Sequence, residues 1–167
     1  ITLSTDKVRA HITNKIGHVI FNNPERHNAV SLEIWDAVEE ALLAFSKDEN
    51  VRVVILSGAG GKSFVSGADI SKFDSERGSK DAVDHYNARI KIVYNIIENF
   101  AKPTIAMVNG YCIGGGLNLA ACTDFRIVSD KSTLAMPAAQ LALGYPFAAI
   151  TSLSHALGHA DASVMMC

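Results

Sequence analysis

Cysteines, net charge and long apolar runs are all scarce in this chain of 167 residues. The three cysteines are an odd number without metal-ligand spacing, so we expect small buried hydrophobic residues, with no disulfide framework and no metal site. Fifteen Lys and Arg oppose 17 Asp and Glu, and the net charge of −2 gives no reason to expect a nucleic-acid partner. No apolar run approaches the length of a membrane span, and the first residues do not resemble a secretory signal. We therefore expect no membrane association and a cytoplasmic location, or the mitochondrial matrix if a targeting segment has been removed.

Length and composition indicate one globular domain. A chain of 167 residues with 49% hydrophobic and 19% charged residues can bury a substantial core. We expect residues 1–150 to form that core. Residues 151–167 end on an apolar, helix-compatible run without a stop signal, so we expect the start of a C-terminal helical region that is cut short.

The hydrophobic pattern alternates between strands and helices. Strands are predicted at 8–13, 18–22, 51–56, 104–108 and 125–128, of which 51–56 and 104–108 read as strands buried on both faces. Helices are predicted at 31–45, with Ser31 as the cap, and at 81–99 and 115–122. Residues 14–17 are predicted to form a hairpin turn, and the polar segment 74–80 a mobile loop. This order favours a layered α/β fold with many parallel strands.

Two glycine-bearing stretches, Ser66–Ile70 and Gly110–Gly116, each follow an apolar run rich in β-branched residues. Glycine lets the backbone approach a ligand closely, and a helix that begins at Gly115 leaves its first N–H groups without partners. Two such N–H groups from separate loops, directed at one point, form an oxyanion hole. The pattern therefore predicts acyl-transfer or enolate chemistry.

Other motifs fit the chain poorly. A phosphate-binding P-loop needs a glycine where Leu56 stands, and neither glycine cluster forms a dinucleotide-binding fingerprint. His155 and His159 are four residues apart on a predicted helix, but Ala156 stands where a metalloprotease carries its glutamate. No serine lies in a nucleophile elbow and no cysteine has an adjacent histidine, so covalent catalysis has no support.

Several short blocks, in order, resemble the crotonase (enoyl-CoA hydratase/isomerase) superfamily. The blocks are Asn23–Ala29, Val51–Gly58, Lys62–Ile70, Lys102–Gly116 and Asp124–Ile127. The resemblance extends over nearly all of residues 8–158. It implies a spiral of ββα units that binds an acyl-CoA thioester as substrate, needs no further cofactor, and assembles as a homotrimer or hexamer.

The resemblance also assigns site residues. By position, the N–H groups of Ala68 and Gly115 would form the oxyanion hole. Arg26 and Lys62 would contact the phosphate or adenine of CoA. For each of them, a solvated surface charge without a ligand is an equally good interpretation. The other CoA-binding candidates that it implies are Ser66, Asp69, Ile70, Gly114 and Ala138, with Asp69 and Ile70 acting through backbone atoms.

The chain departs from the hydratases of that family at two positions. Those enzymes use one glutamate shortly after the glycine triplet and another after a proline further along. Asn118 and Ala138 stand at these places, and neither side chain takes up a proton at neutral pH. We interpret the chain as a member of a hydratase-like subgroup without the glutamate pair, in which Gln140 is a candidate to fill the vacated place.

The expected function is that of a CoA-thioester enzyme that stabilises an enolate, most simply an enoyl-CoA hydratase. The alternatives are an isomerase, a decarboxylase of malonyl-type CoA, and a non-catalytic member that binds acyl-CoA or a protein. In a decarboxylase, Asn118 could orient the carboxylate, and Tyr111 or Tyr145 could give a proton to the enolate, although packing is the commoner role of such tyrosines. Four carboxylates are expected near the entrance of the site, where a solvated charge is a commoner role than catalysis. They are Asp69, Asp74, Glu76 and Asp84.

Overall fold

The computed structural model describes residues 1–137, 140 and 144–166, and these form two sheets with helices packed on them. The strands are β1 Val8–Thr13, β2 Ile16–Phe21, β3 Val53–Gly58, β4 Ser63–Val65, β5 Thr104–Val108, β6 Tyr111–Ile113, β7 Phe125–Val128 and β8 Thr133–Ala135. The α-helices are α1 Leu32–Lys47, α2 Phe73–Arg77, α3 Lys80–Glu98, α4 Gly115–Cys122, α5 Phe147–Leu157 and α6 His159–Met166. The predicted α/β class is confirmed.

The larger sheet has the strand order β1-β2-β3-β5-β7. Strands β1 and β2 pair antiparallel, and the other neighbours pair parallel. The hairpin turn needs only Asn14 and Lys15, because both adopt positive φ angles of 51° and 66°, as a two-residue type I′ turn requires. Strand β2 therefore begins at Ile16, two residues before the predicted start.

Helix α1 packs its apolar face on β1 and β2. The residues at helical spacing on that face are all buried: Ile34, Val38, Ala41, Leu42 and Phe45. The Phe45 ring lies so close to β2 that a Cβ on Gly17 would sit 2.9 Å from it. Ser31 occupies the N-cap position, but its side chain makes no capping hydrogen bond. Glu76 supplies the cap instead, since its carboxylate accepts the Leu32 N–H at 3.1 Å.

The smaller sheet joins β4, β6 and β8 in parallel. Each of its strands directly follows one strand of the larger sheet, so the chain repeats the order long strand, short strand, helix. These three-residue strands are absent from the prediction because they are too short for an alternating pattern to stand out. The repeated order is the spiral of ββα units that the resemblance implied.

Several predicted boundaries are wrong. Strand β3 begins at Val53 and not at Val51, because its pairing with β2 sets Ile16 opposite Val53. Strand β5 is buried on one face only, and its Met107 is 48% exposed. The segment 74–80 is largely helical, since α2 covers residues 73–77 and α3 begins at Lys80 with Ser79 as its cap.

Two expectations concern the last residues of the chain. His155 and His159 do not share a helix, because Gly158, with φ of 85°, ends α5 before α6 begins. The expected division at residue 150 falls inside α5. The assignment of 151–167 to a separate helical region remains a prediction.

Candidate functional site

The smaller sheet brings the two glycine stretches together. Because β4 and β6 run parallel, their carboxyl ends meet at one edge. Residues 66–69 leave that edge after β4, and Gly114 and Gly115 leave it after β6. The Gly114 N–H donates to the Ala135 carbonyl of β8 at 2.8 Å, which fixes the turn into α4.

Helix α4 begins in direct contact with the end of β4. A Cβ on Gly116 would lie 2.2 Å from the Val65 carbonyl oxygen, a distance that only glycine can accept. At Gly67, whose φ is 106°, an added Cβ would lie 3.5 Å from the carbonyl oxygen of Ile113 across the same junction. The two loops are therefore packed backbone against backbone.

Ala68 and Gly115 present N–H groups at this junction. On either side of Ala68, Val30 exchanges backbone hydrogen bonds with Gly67 and Asp69, at 2.9 and 2.8 Å. Neither the Ala68 nor the Gly115 N–H donates a hydrogen bond to any of the described residues. Gly115 is the first residue of α4, so its amide also lies at the positive end of the helix dipole. Both amides can donate to a ligand oxygen.

The segment around Arg26 lies beside the same loop. The Ser66 N–H donates to the His27 carbonyl at 3.2 Å, and the Arg26 guanidinium lies 3.4 Å from the Asp69 carboxylate. Asp69 is only 8% exposed and also accepts from the N–H and hydroxyl of Ser71, so it is a structural cap and not the solvated charge we expected. Ile70 next to it is 75% exposed.

Asn28 holds this segment in place. Sequence analysis included it in the Asn23–Ala29 block but assigned it no role of its own. Its side chain is 1% exposed and donates to the carbonyls of Ala59 and Ser63 at 3.0 and 2.8 Å. The same side chain accepts the Asn23 N–H at 2.9 Å. The Asn23–Ala29 block is thus a folded loop whose shape depends on one buried amide.

Three predicted site residues remain. Lys62 precedes β4, at the opposite end of that short strand from Ala68, and its side chain is exposed. Ala138 lies outside the described residues. Gln140 is described and lies at the surface.

Asn118 lies on α4, one turn after Gly115, and is 1% exposed. Its Oδ1 accepts no hydrogen bond within the described part of the chain. Its side chain lies beside the Tyr94 hydroxyl, which donates to the Gly115 carbonyl at 2.9 Å. The Tyr94 ring meets the edge of Trp35 at 5.6 Å. A buried polar atom without a partner is uncommon, so Asn118 Oδ1 is a candidate hydrogen-bond acceptor for a bound molecule.

Tyrosines line this polar region and stay protonated at neutral pH. Burial raises the pKa of Tyr94 well above its usual value of 10, and the neighbouring Tyr145 raises it further. Burial, followed by the charge of Tyr86, raises the pKa of Tyr145 to about 12. Tyr111, by contrast, is 49% exposed and packs its ring edge against His27. Sequence analysis did not identify Tyr94 as part of a candidate site.

The titratable groups offer little nucleophilic or metal chemistry. Cys112 and Cys122 are buried as predicted, and burial raises the pKa of the Cys112 thiol to about 12. Burial and the neighbouring Glu98 raise the pKa of the Cys122 thiol as well. Among residues 1–137, 140 and 144–166, no three His, Cys, Asp or Glu side chains cluster in a way that could hold a metal ion. None of the described helices is both long enough and apolar enough to cross a membrane.

Comparison with known proteins agrees with this geometry. The sequence model of the family described as enoyl-CoA hydratase/isomerase matches residues 11–167. The chain is 33% identical over 144 residues to the crotonyl-CoA hydratase of Syntrophomonas wolfei subsp. wolfei, a match that covers 86% of this chain and 55% of that protein. It is 30% identical over 165 residues to the peroxisomal Delta(3,5)-Delta(2,4)-dienoyl-CoA isomerase of Arabidopsis thaliana, covering 93% of this chain and 59% of that protein.

Solved structures show the same fold. A crystal structure of an enoyl-CoA hydratase/carnithine racemase from Magnetospirillum magneticum matches with a TM-score of 0.92 and 31% sequence identity, over 98% of this chain and 61% of that one. The predicted crotonase-like fold is therefore confirmed. The chain spans less than two thirds of the length of each of these relatives.

Proposed function

The chain belongs to the enoyl-CoA hydratase/isomerase family, and from this premise we propose that it binds an acyl-CoA thioester and stabilises the thioester enolate through the N–H groups of Ala68 and Gly115. The supporting observation is that both amides lack partners among the described residues and lie on two loops packed together at one sheet edge. An enolate oxygen gathers negative charge in the transition state, and the loss of one such donor typically costs about 3–4 kcal/mol of barrier.

In this proposal CoA lies along the loop that carries Arg26. Arg26 is 56% exposed, so its guanidinium can reach a phosphate while Asp69 holds it in place. Ser66, Gly114 and the backbone at Asp69 and Ile70 would line the path of the thioester. Lys62 is the weaker candidate for a CoA contact, because it stands at the far end of β4. A homotrimer or hexamer and a cytoplasmic or mitochondrial location remain part of the proposal.

Asn118 is the side chain that we expect to position the water, although its amide takes up no proton itself. In a hydratase, the Asn118 amide would orient the attacking water. The water oxygen would bond to the β-carbon while the electrons of the double bond pass into the thioester enolate, and the proton that the water releases would be delivered to the α-carbon. We place enoyl-CoA hydration first because the relatives include a protein named crotonyl-CoA hydratase. Isomerisation is the related alternative, since another relative is named a dienoyl-CoA isomerase.

A decarboxylase is the second candidate, and the half-buried phenols of Tyr94 and Tyr145 favour it. In that reaction the bond between the α-carbon and its carboxylate breaks, its electron pair forms the enolate, and CO₂ leaves. The enolate then takes one proton from Tyr94, Tyr145 or solvent. Both phenols are protonated at neutral pH, and no carboxylic acid is needed. A member that binds acyl-CoA without turnover is the remaining alternative.

The test is turnover of crotonyl-CoA by the wild-type chain and by Asn118→Glu, with Asn95→Glu on the exposed face of α3 as the control for added charge. Hydration by the wild type would support the first candidate, and a gain in rate only in Asn118→Glu would show that Asn118 occupies the acid–base position. Acyl-CoA binding without hydration by either protein would favour another enolate reaction or a binding role. Failure to bind any acyl-CoA would contradict the whole proposal.

A further inference from the structure

The α4 amide assigned to the oxyanion hole lies between two glycines, so its own residues restrict its direction very little. The Gly115 N–H belongs to the peptide that joins Gly114 to Gly115, and Gly114 has a φ of 55°. Glycine adopts positive and negative φ angles at similar cost, because it carries no Cβ. The direction of this N–H is therefore fixed by contacts with the rest of the fold.

Three hydrogen bonds hold the backbone on either side of this amide. The Gly114 N–H donates to the Ala135 carbonyl at 2.8 Å, and the Gly114 carbonyl accepts the Asn118 N–H at 3.1 Å. On the other side, the Gly115 carbonyl accepts the Tyr94 hydroxyl at 2.9 Å. The first two bonds join backbone groups and depend on no side chain, whereas the third depends on Tyr94.

A second observation places the Tyr94 hydroxyl against Gly115. A Cβ added to Gly115 would lie 3.3 Å from the hydroxyl oxygen, which is closer than an ordinary contact. Of the side-chain hydrogen bonds within residues 1–137 and 144–166, that of Tyr94 is the one that reaches residues 114–116. Within those ranges, Tyr94 is thus the side chain that ties the turn into α4 to the rest of the fold by a hydrogen bond.

Tyr94 is itself held by the packing of α3 on α1. Its ring stands at 86° to the ring of Trp35, with 5.6 Å between the two ring centres. Trp35 is 1% exposed, so the ring against which Tyr94 packs belongs to the buried core. A tyrosine side chain has two χ angles, so a ring packed in this way places its hydroxyl at a defined point. Burial also raises the pKa of this phenol, and the hydroxyl remains a donor at neutral pH.

We propose that Tyr94 is a positioning residue for the oxyanion hole, whose hydroxyl holds Gly115 so that its N–H and that of Ala68 point at the same thioester oxygen. This inference rests on the proposed function, because it concerns the amides that would stabilise the enolate. The hydroxyl hydrogen of Tyr94 is used in the bond to the Gly115 carbonyl, so Tyr94 acts through Gly115. In the decarboxylase alternative, the proton for the enolate then comes from Tyr145 or solvent.

The experiment measures stabilisation of an enolate apart from binding of a thioester. Acetoacetyl-CoA loses an α-proton to give an enolate that absorbs in the near ultraviolet, so absorbance reports the ratio of bound enolate to bound keto form. We expect Tyr94→Phe to lower this ratio about 3- to 10-fold at a fixed pH, because a displaced amide still donates, but with poorer geometry. Butyryl-CoA, titrated by calorimetry, should bind within about 2-fold of the wild type, since the bond to Gly115 favours the enolate over the ground state.

Tyr86→Phe is the matched control. Tyr86 also lies on α3 and is 2% exposed, and the substitution keeps the ring that packs against the Arg77 guanidinium. Within the part of the chain that the structure describes, the Tyr86 hydroxyl makes no hydrogen bond to residues 114–116. Both the enolate ratio and the affinity for butyryl-CoA should therefore match those of the wild type.

An unchanged enolate ratio in Tyr94→Phe, or an equal loss in Tyr86→Phe, would overturn this inference and leave the proposed function standing. A matching loss of affinity for butyryl-CoA would also overturn it, since Tyr94 would then act on the fold or on CoA. A wild type that binds neither thioester, or that holds acetoacetyl-CoA only in the keto form, would overturn both proposals. If Tyr94→Phe does not fold, Gly115→Ala replaces it, because the new Cβ displaces the Tyr94 hydroxyl. That variant should lower the enolate ratio and keep the affinity for butyryl-CoA, and an unchanged ratio would overturn the inference.

Discussion

Replacement of Gly116 by alanine separates two opposing effects on stability. Alanine is favoured over glycine in a helix by about 1 kcal/mol, so helix propensity alone predicts a more stable protein. In this structure, however, the new Cβ would lie 2.2 Å from the Val65 carbonyl oxygen and 2.8 Å from the Val65 Cβ. The closest of these atoms belongs to the backbone of β4 and cannot rotate away. Helix α4 would have to move by about 1 Å to restore an ordinary contact.

We therefore expect Gly116→Ala to lower the free energy of unfolding by about 1–3 kcal/mol, as overpacking of a close contact does. For a protein of this size the melting temperature should fall by about 2–4 °C for each kcal/mol. The shift also moves the Gly115 N–H relative to the Ala68 N–H. A misplacement of about 1 Å at a catalytic group can reduce turnover on the order of 100-fold.

Urea unfolding followed by circular dichroism measures the stability, and acyl-CoA turnover measures the second effect. Gly144→Ala is the matched control, because no described atom lies within 4 Å of its Cβ position and its φ is not positive. That variant should stay within about 0.5 kcal/mol of the wild type. A Gly116→Ala protein as stable as the wild type, or more stable, would refute the reasoning about the α4 and β4 contact.

Two further predictions concern titratable groups. Burial raises the pKa of Glu76, so its contribution to stability falls as the pH rises through that folded-state value. Glu76→Gln keeps an oxygen for the Leu32 N–H and should match or exceed the wild type at pH 7, whereas Glu76→Ala should lose about 1 kcal/mol with the cap. Urea unfolding in which Glu76→Gln is less stable than Glu76→Ala would contradict this prediction. Burial, and next the charge of His11, lowers the pKa of His18, whose ring stacks on His11 at 4.8 Å. The neutral His18 ring therefore contributes to the stability of the fold above the ordinary pKa of 6.5, and this contribution is lost as the pH falls below that value. His11→Gln should therefore lose less free energy of unfolding between pH 7.5 and 5.5 than the wild type does. His85→Gln, which replaces an exposed histidine, is the control and should behave like the wild type. Identical losses in all three proteins would count against a coupling between His11 and His18.

Local sequence pattern was enough to predict several elements. Strands β1, β5 and β7 and helix α4 have the predicted bounds. Strand β1 alternates between apolar and polar residues, whereas β5 and α4 are mostly apolar, and both patterns stand out from the neighbouring residues. The apolar face of α1 was also predictable, since a 3.6-residue period over four turns leaves few alternatives. The two glycine stretches were identified as a pair of amide-bearing loops, and the resemblance named Ala68 and Gly115 within them.

Contacts between distant parts of the chain decided the rest. The smaller sheet, which brings the glycine loops to one edge, consists of three-residue strands that exist only because they pair with one another. Glu76 caps a helix that begins 44 residues earlier, and Tyr94 bonds a carbonyl 21 residues later. Periodicity reports which face of an element is buried, whereas the partner of a polar side chain depends on how the elements pack, and that information is spread over the whole chain.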